Sequence, residues 1–372
     1  MPRKKRRRAE VFASECARCD AALEFAREPE EVTLCDECAD VVDASDAHWF
    51  VAHADPTFIV GSSDAAVLPP SVPPLGPSTV AADESDAAGV ATARRWVDRA
   101  DAVLVCAGAG MSRDSGLPDF RGRGGWYVVD GAEFSMAHMD FHADSPHWDA
   151  AWRVLAKMAR AFVDAAPHAG YDALRTLAAS KRLYVLSSNI DGFFERAGLG
   201  DAVYETHGTV LRLQCTTVGS DDPCASAGAL VDLDAALLAR LEGRYRAPGT
   251  VDGSFPLPRC ACGAAARPNV SHETDADDEI CATIKGAQMK RMRAWLRRER
   301  RRKSALAVVE IGCGTSVHSL RPDSEICVAA QHRAGGAATL LRIDPENCAV
   351  PAGPDHLGLK LGAREALGRL LD

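Results

Sequence analysis

The chain has 372 residues, 47% of them hydrophobic and 26% charged. That is the composition of a globular protein with room for one large catalytic domain and a smaller module, and it excludes wholesale disorder and fibrous repeats. The formal net charge of −9 argues against a globally cationic nucleic-acid-binding surface, and no apolar run approaches the ~18–20 residues that span a bilayer, so no membrane partner is expected.

Residues 1–9 form a basic tail in which Arg3 to Arg8 read RKKRRR. Such a cluster at a terminus reads as a nuclear import address or a nucleic-acid contact. Nuclear location, beside chromatin proteins, is the expectation, and cytoplasmic location is the alternative. Residues 10–52 contain Cys16, Cys19, Cys35 and Cys38, two C-x2-C pairs fifteen residues apart. Each pair can fold into a knuckle, and together they can close four thiolates around zinc in a ribbon-like segment. With 13 cysteines and no export signal, reduced thiols or metal ligands are expected rather than disulfides. Residues 53–89 turn to Pro, Ser and Ala, including LPPSVPPLGPS from Leu68 to Ser78, which reads as a semi-rigid linker.

From residue 90 to 372 the apolar runs at 102–110, 183–191, 306–314 and 339–344 alternate with helical stretches. Continuous apolar strands separated by helices predict an α/β fold, a Rossmann-like parallel sheet covered on both faces. Lys285 to Lys303 holds ten basic residues and one acid, Glu299. Met289, Met292 and Leu296 are spaced there for one side of a solvated amphipathic helix. Two strands run into small-residue loops, Gly108-Ala109-Gly110 and Gly312-Cys313-Gly314-Thr315-Ser316, where an open α/β sheet places its ligand and glycine lets the backbone approach a pyrophosphate. Asp344, at the end of the last run, can accept hydrogen bonds from a ribose diol or cap a helix.

The specific signal is the run from Cys106 to Trp126, CAGAGMSRDSGLPDFRGRGGW. It is followed by SSNIDGFFERAG (Ser187 to Gly198), ETHGTV (Glu205 to Val210) and GCGTSVHSLRP (Gly312 to Pro322). In these four ordered motifs the chain resembles the sirtuin family of NAD-dependent protein deacylases, over roughly residues 90–372. The resemblance implies NAD bound by Gly108, Ala109, Gly110, Ser112, Ser115, Asp119, Phe120, Arg121, Ser188, Asn189, Asp191, Gly314, Thr315, Ser316 and Asp344. It implies catalysis by His207, Asn189 and Asp191 on an acylated-lysine protein substrate. The acyl-lysine oxygen attacks the anomeric carbon as nicotinamide departs, His207 deprotonates a ribose hydroxyl, and the acyl group ends on ADP-ribose. The residue types suit those roles. Asn189 offers an amide to orient a hydroxyl or a water, and Arg121 meets a phosphate bidentately. Phe120 can cover the reacting face, and His207 accepts a proton near neutral pH.

After the His-Gly motif come Cys215, Cys224, Cys260 and Cys262, where sirtuins carry a four-cysteine zinc module, here at about 211–266. Eight residues separate the first pair and one the second, and a helix-like stretch lies around Leu230 to Tyr245. Cys106, Cys281, Cys313, Cys327 and Cys348 read as small core residues. The chain departs from the family pattern at Ser188 and Phe194. It departs again at Ser271-His272-Glu273-Thr274-Asp275, where sirtuins pair with the substrate peptide. Two other readings use the same motifs: a mono-ADP-ribosyltransferase or NAD hydrolase, and a non-catalytic NAD- or ADP-ribose-sensing module.

Overall fold

The computed structural model describes residues 12–15, 22–25, 87–120, 126, 145–218, 224–225, 230–246, 250–270, 282–315 and 320–371. The chain divides into two compact units, Met1–Pro73 and Pro74–Asp372. In the first, strands β1 (Phe12–Glu15) and β2 (Ala22–Phe25) pair antiparallel, Phe12 opposite Phe25. Cys16, Cys19, Cys35 and Cys38 lie outside the described residues, as do the basic tail and residues 53–86 of the linker; residues 87–89, read as its end, instead open a helix.

The second unit is built on six parallel strands: β3 (Ala102–Ala107), β4 (Arg182–Ser187), β5 (Val203–Glu205), β9 (Leu306–Ile311), β10 (Ala338–Ile343) and β11 (His356–Leu359). Their order across the sheet is β11-β10-β9-β3-β4-β5. Taken in chain order this is the doubly wound 3-2-1-4-5-6 arrangement, with the reversal of winding between β3 and β9. Both of those central strands are buried at every residue, which is why their sequences run apolar without alternation.

The two faces of the sheet still differ by period two. Val103, Val105 and Ala107 join the apolar core shared with helices α1 (Ala87–Arg99), α4 (Ala169–Ser180) and α9 (Ala363–Leu371). On the other face lie α7 (Ala282–Arg302) and α8 (Leu320–Arg333); there Tyr184 meets Trp295, with ring centroids 5.8 Å apart. Along α7, Gln288, Met292, Trp295, Leu296 and Glu299 are buried. The one acid of that basic stretch is thus its inward-facing residue, accepting from Arg182 Nε at 3.0 Å and Ser304 Oγ at 2.7 Å.

The unit also holds the long helix α3 (Trp148–Asp164) and two single-turn helices, α2 (Gly110–Arg113) and α5 (Phe193–Arg196). A small module leaves the sheet after β5. Strand β6 (Gly208–Cys215) pairs antiparallel with β7 (Val231–Asp232) and β8 (Ala266–Val270), and α6 (Ala235–Arg244) stands beside them. Arg244 Nη2 and Tyr245 OH both reach Asp149 Oδ1, at 2.7 and 2.9 Å, tying this module to α3. No helix among the described residues is long and apolar enough to cross a membrane.

Candidate active site and metal centre

At the switch point the two glycine loops touch backbone to backbone. Gly110 N–H donates to Gly312 O at 2.9 Å and Gly108 N–H to Ile311 O at 3.0 Å. A Cβ on Gly108 would stand 2.6 Å from Cys313 Cα, and one on Gly110 would stand 2.6 Å from Gly312 Cα. Gly312 itself has φ +59°, the left-handed region that glycine enters without cost. Only Cβ-free residues can form this cradle, and it lies where a doubly wound sheet receives a ligand.

Helix α2 follows at once and brings in Ser112. Ser112 Oγ donates to Asp191 Oδ2 at 2.6 Å, accepts from Asn189 Nδ2 at 3.2 Å and lies 3.0 Å from Tyr171 OH. Asn189 and Asp191 come from the turn leaving β4. There Ser187 Oγ accepts from Asn189 N–H at 3.1 Å, and Asp191 Oδ1 accepts from Phe193 N–H at 2.9 Å, opening α5. All four hub side chains are buried. Burial pushes the Asp191 carboxyl up, against the pull of the Ser112 and Phe193 hydrogen bonds. It also pushes the Tyr171 hydroxyl well up, and Asp191 adds to the effect.

His207 sits on the turn between β5 and β6. Ser187 and Glu205, the last residues of β4 and β5, are register partners, so the Asn189 and His207 turns leave adjacent strands at the same edge. Thr206 N–H donates back to Ser187 O at 2.8 Å. Gly208, with φ +70°, lets β6 depart where a Cβ would lie 2.1 Å from Asn269 O. Burial raises the Glu205 carboxyl to about 7, against the hydrogen bond from Gln288.

Of the other residues read from the sequence, Ser115 Oγ accepts from His168 N–H at 2.9 Å. Asp119 pairs with Arg113 at 2.8 Å, Phe120 packs partly buried on the core, and Ser188 is half-buried. Gly314 is half-buried with φ +55°, and Thr315 is exposed. Asp344 is buried at the end of β10, and its Oδ1 accepts from Glu346 N–H at 2.9 Å and Asn347 N–H at 2.7 Å. It caps the loop rather than a helix. Arg121, Ser316 and the segment 271–275 lie outside the described residues.

Sequence reasoning missed Tyr171, which no motif marks, and His168. The His168 ring spans Met111 O and Gly170 N–H, both at 2.9 Å. With Nδ1 accepting from Gly170, the ring is neutral with its proton on Nε2, and burial holds its pKa down.

Cys215, Cys224, Cys260 and Cys262 converge, with all four Sγ atoms within 4.8 Å of one another. The separations Cys215–Cys224, Cys215–Cys262 and Cys224–Cys260 are 3.6, 3.7 and 3.7 Å. A tetrahedron with ~2.3 Å zinc–sulfur bonds has an S···S edge of about 3.8 Å, so this donor set and geometry fit structural zinc. The Cys262 backbone lowers the Cys260 thiol, but desolvation and the three neighbouring thiols push it up to about 12. Four thiolates at this spacing would repel one another, so without a cation the protonated form is favoured, whereas a dication favours four thiolates. Cys106, Cys313, Cys327 and Cys348 are buried, as read, and Cys281 lies outside the described residues.

Comparison with known proteins agrees with this geometry. The Sir2 family model matches residues 108–272. An NAD-dependent protein deacylase 2 from Pseudomonas aeruginosa is 33% identical over 186 residues, 49% of this chain and 64% of that protein. An NAD-dependent protein deacetylase from Cutibacterium acnes is 30% identical over 177 residues, 47% of this chain and 62% of that protein. The chain thus spans a little under two thirds of these curated relatives. A solved Sir2 homologue mutant in complex with ADP-ribose superposes with a TM-score of 0.51 at 19% identity, over 75% of this chain and 94% of that one, which shows a shared fold. With its glycine cradle, its hub and its cysteine cluster in place, the chain is similar to the sirtuin, or Sir2, family over residues 108–272.

Proposed function

We propose that the protein is an NAD-dependent protein-lysine deacylase that moves an acyl group from lysine to ADP-ribose with release of nicotinamide. The observation that carries this reading is the convergence of the cradle, the Asn189–Ser112–Asp191 hub and the His207 turn along one edge of the sheet. The Gly108–Gly312 cradle admits a pyrophosphate that a Cβ would exclude, so the residues present fit the nucleotide. When bound, NAD supplies a glycosidic carbon whose leaving group is already cationic.

The chain's part is to position groups and exclude water. Ser112 fixes the Asn189 amide, which then orients a ribose hydroxyl or a water. Asp191, held by Ser112 and Phe193, anchors that turn. His207 takes the hydroxyl proton as general base, and Asp344 accepts from a ribose diol with the oxygen not engaged by the loop. The Cys215–Cys224–Cys260–Cys262 zinc closes the small module, and a second zinc belongs to Cys16, Cys19, Cys35 and Cys38. Acylated-lysine proteins are the substrates. Nuclear location, chromatin substrates and nucleic-acid contact rest on the Arg3–Arg8 run alone. A fluorescent fusion that distributes identically with and without residues 1–8 removes them.

The test of the reaction is incubation with NAD and a panel of acylated peptides, with products resolved by mass. Deacylated peptide and acylated ADP-ribose are expected. His207→Ala abolishes transfer while NAD binding persists. NAD consumption with the peptides untouched points instead to hydrolysis.

A further inference from the structure

Two charges interrupt the apolar strands at one register: Glu310 on β9 and Arg342 on β10 are Cα partners. They are 1% and 2% exposed. Arg342 grips the carboxylate with both prongs, Nε to Oε1 at 2.6 Å and Nη2 to Oε2 at 2.9 Å, and Nη2 also reaches Glu325 Oε1 at 2.9 Å. Ser324 Oγ donates to Glu310 Oε2 at 2.7 Å, and Arg321 Nε lies 3.5 Å from Oε1. The far ends of the two guanidiniums go to one place: Arg342 Nη1 donates to Ala349 O and Arg321 Nη2 to Asn347 O. Those carbonyls belong to the loop that Asp344 opens and caps through the N–H groups of Glu346 and Asn347.

We infer that Glu310 is a positioning residue for the ribose end of the nucleotide site, gathering Arg342 and Arg321 into a clamp that fixes the 344–350 loop and thereby the direction of the Asp344 carboxylate. Stability alone is a poor reason for the cluster, because replacing a buried ion pair by apolar residues is often neutral or stabilising. What apolar packing cannot do is hold two specific carbonyls at set positions, and a forked guanidinium anchored on a buried carboxylate does so. Glu325 balances the second cation, so the cluster carries two acids and two bases and needs no ligand charge to exist. Strand β9, the Gly312 loop, α8 and β10 form a strand–loop–helix–strand unit with an acid at the second strand's end, the arrangement that holds a ribose diol.

The inference rests on the nucleotide-binding reading above, and the test separates the two. Dissociation constants are measured by calorimetry on the full chain with ADP-ribose, which carries the second ribose and adenine, and with nicotinamide mononucleotide, which lacks them. Hydrogen exchange is followed at the amides of 346–350. Glu310→Gln keeps the shape and removes the charge. It is expected to weaken ADP-ribose by about tenfold or more, the usual scale for a disturbed supporting contact, while nicotinamide mononucleotide stays within about twofold and the loop amides exchange faster. Equal weakening of both ligands, or an unchanged ADP-ribose affinity, overturns the clamp. If the wild type binds neither ligand, the nucleotide reading fails and loop exchange decides alone: unchanged exchange in Glu310→Gln overturns the clamp. Should that variant not fold, Arg342→Lys, which keeps the cation and loses the fork, carries the same expectations.

Discussion

Glu205 shows how a single side chain's environment sets a measurable property. It stands at the end of β5, 7% exposed, with Gln288 Oε1 accepting from its backbone N–H at 3.1 Å. Burial raises its carboxyl from 4.5 to about 7, Glu195 and Asp191 push the same way, and Gln288 and Arg212 oppose. A carboxyl raised in the folded state costs nothing below its unfolded value and destabilises progressively as pH rises through the folded one; a rise of this size corresponds to about 3 kcal/mol. Glu205→Gln removes that cost. Its stability relative to wild type is expected to grow by about 2–3 kcal/mol between pH 5 and pH 8 in urea denaturation. A pH-independent difference would show that the carboxyl is better solvated than its burial implies. Ser112 carries the opposite expectation. Ser112→Ala leaves Asp191 with one fewer donor in a buried site, and a loss of about 1–3 kcal/mol is expected, read as a lower urea midpoint at constant slope.

The contact between the two glycine loops governs the next scale, where β3 and β9 end. The neighbours of an added Cβ there are backbone atoms that cannot swing aside. Gly108→Ala therefore forces the loops apart, at a cost of about 1–3 kcal/mol, and nucleotide affinity should fall with it. Calorimetric binding at wild-type strength would mean that the loops part freely. These elements were legible in the sequence because β3, β4, β9 and β10 are covered on both faces and read as uninterrupted apolar runs. The edge strands were not. Val203–Glu205 and His356–Leu359 are three and four residues long, too short to show a period. The four-cysteine cluster was legible from residue type and order despite its uneven spacing, because the antiparallel β6–β8 pairing supplies the closure that spacing does not. Tyr171 was invisible, since an α4 aromatic reads as core until Ser112 is seen beside it. Glu310 and Arg342 did leave a signal, one acid and one base each interrupting an apolar strand, but only the register made them partners.

At the scale of the whole chain, the division into Met1–Pro73 and Pro74–Asp372 makes a prediction about metal and cooperativity together. The larger unit has an apolar core gathered from the sheet, α1, α3, α4, α6 and α9, so a zinc at its four cysteines would serve only to close the β6–β8 module. The N-terminal segment, at 10–52, is about the length below which chains rarely build a sufficient core without a metal or disulfides. If that segment holds zinc as proposed, its binding free energy and folding free energy are nearly the same quantity. The intact protein should then carry about two zinc ions, and a Pro-rich linker should keep the two sites energetically separate. Cys16→Ser is expected to remove one equivalent by elemental analysis and leave the main calorimetric transition where it was. Cys215→Ser should remove the other and lower that transition, because Cys215 ends β6 and anchors the module's sheet. If Cys16→Ser leaves the zinc content unchanged, the N-terminal cysteines hold no metal. If it shifts the main transition, the two units do not fold independently.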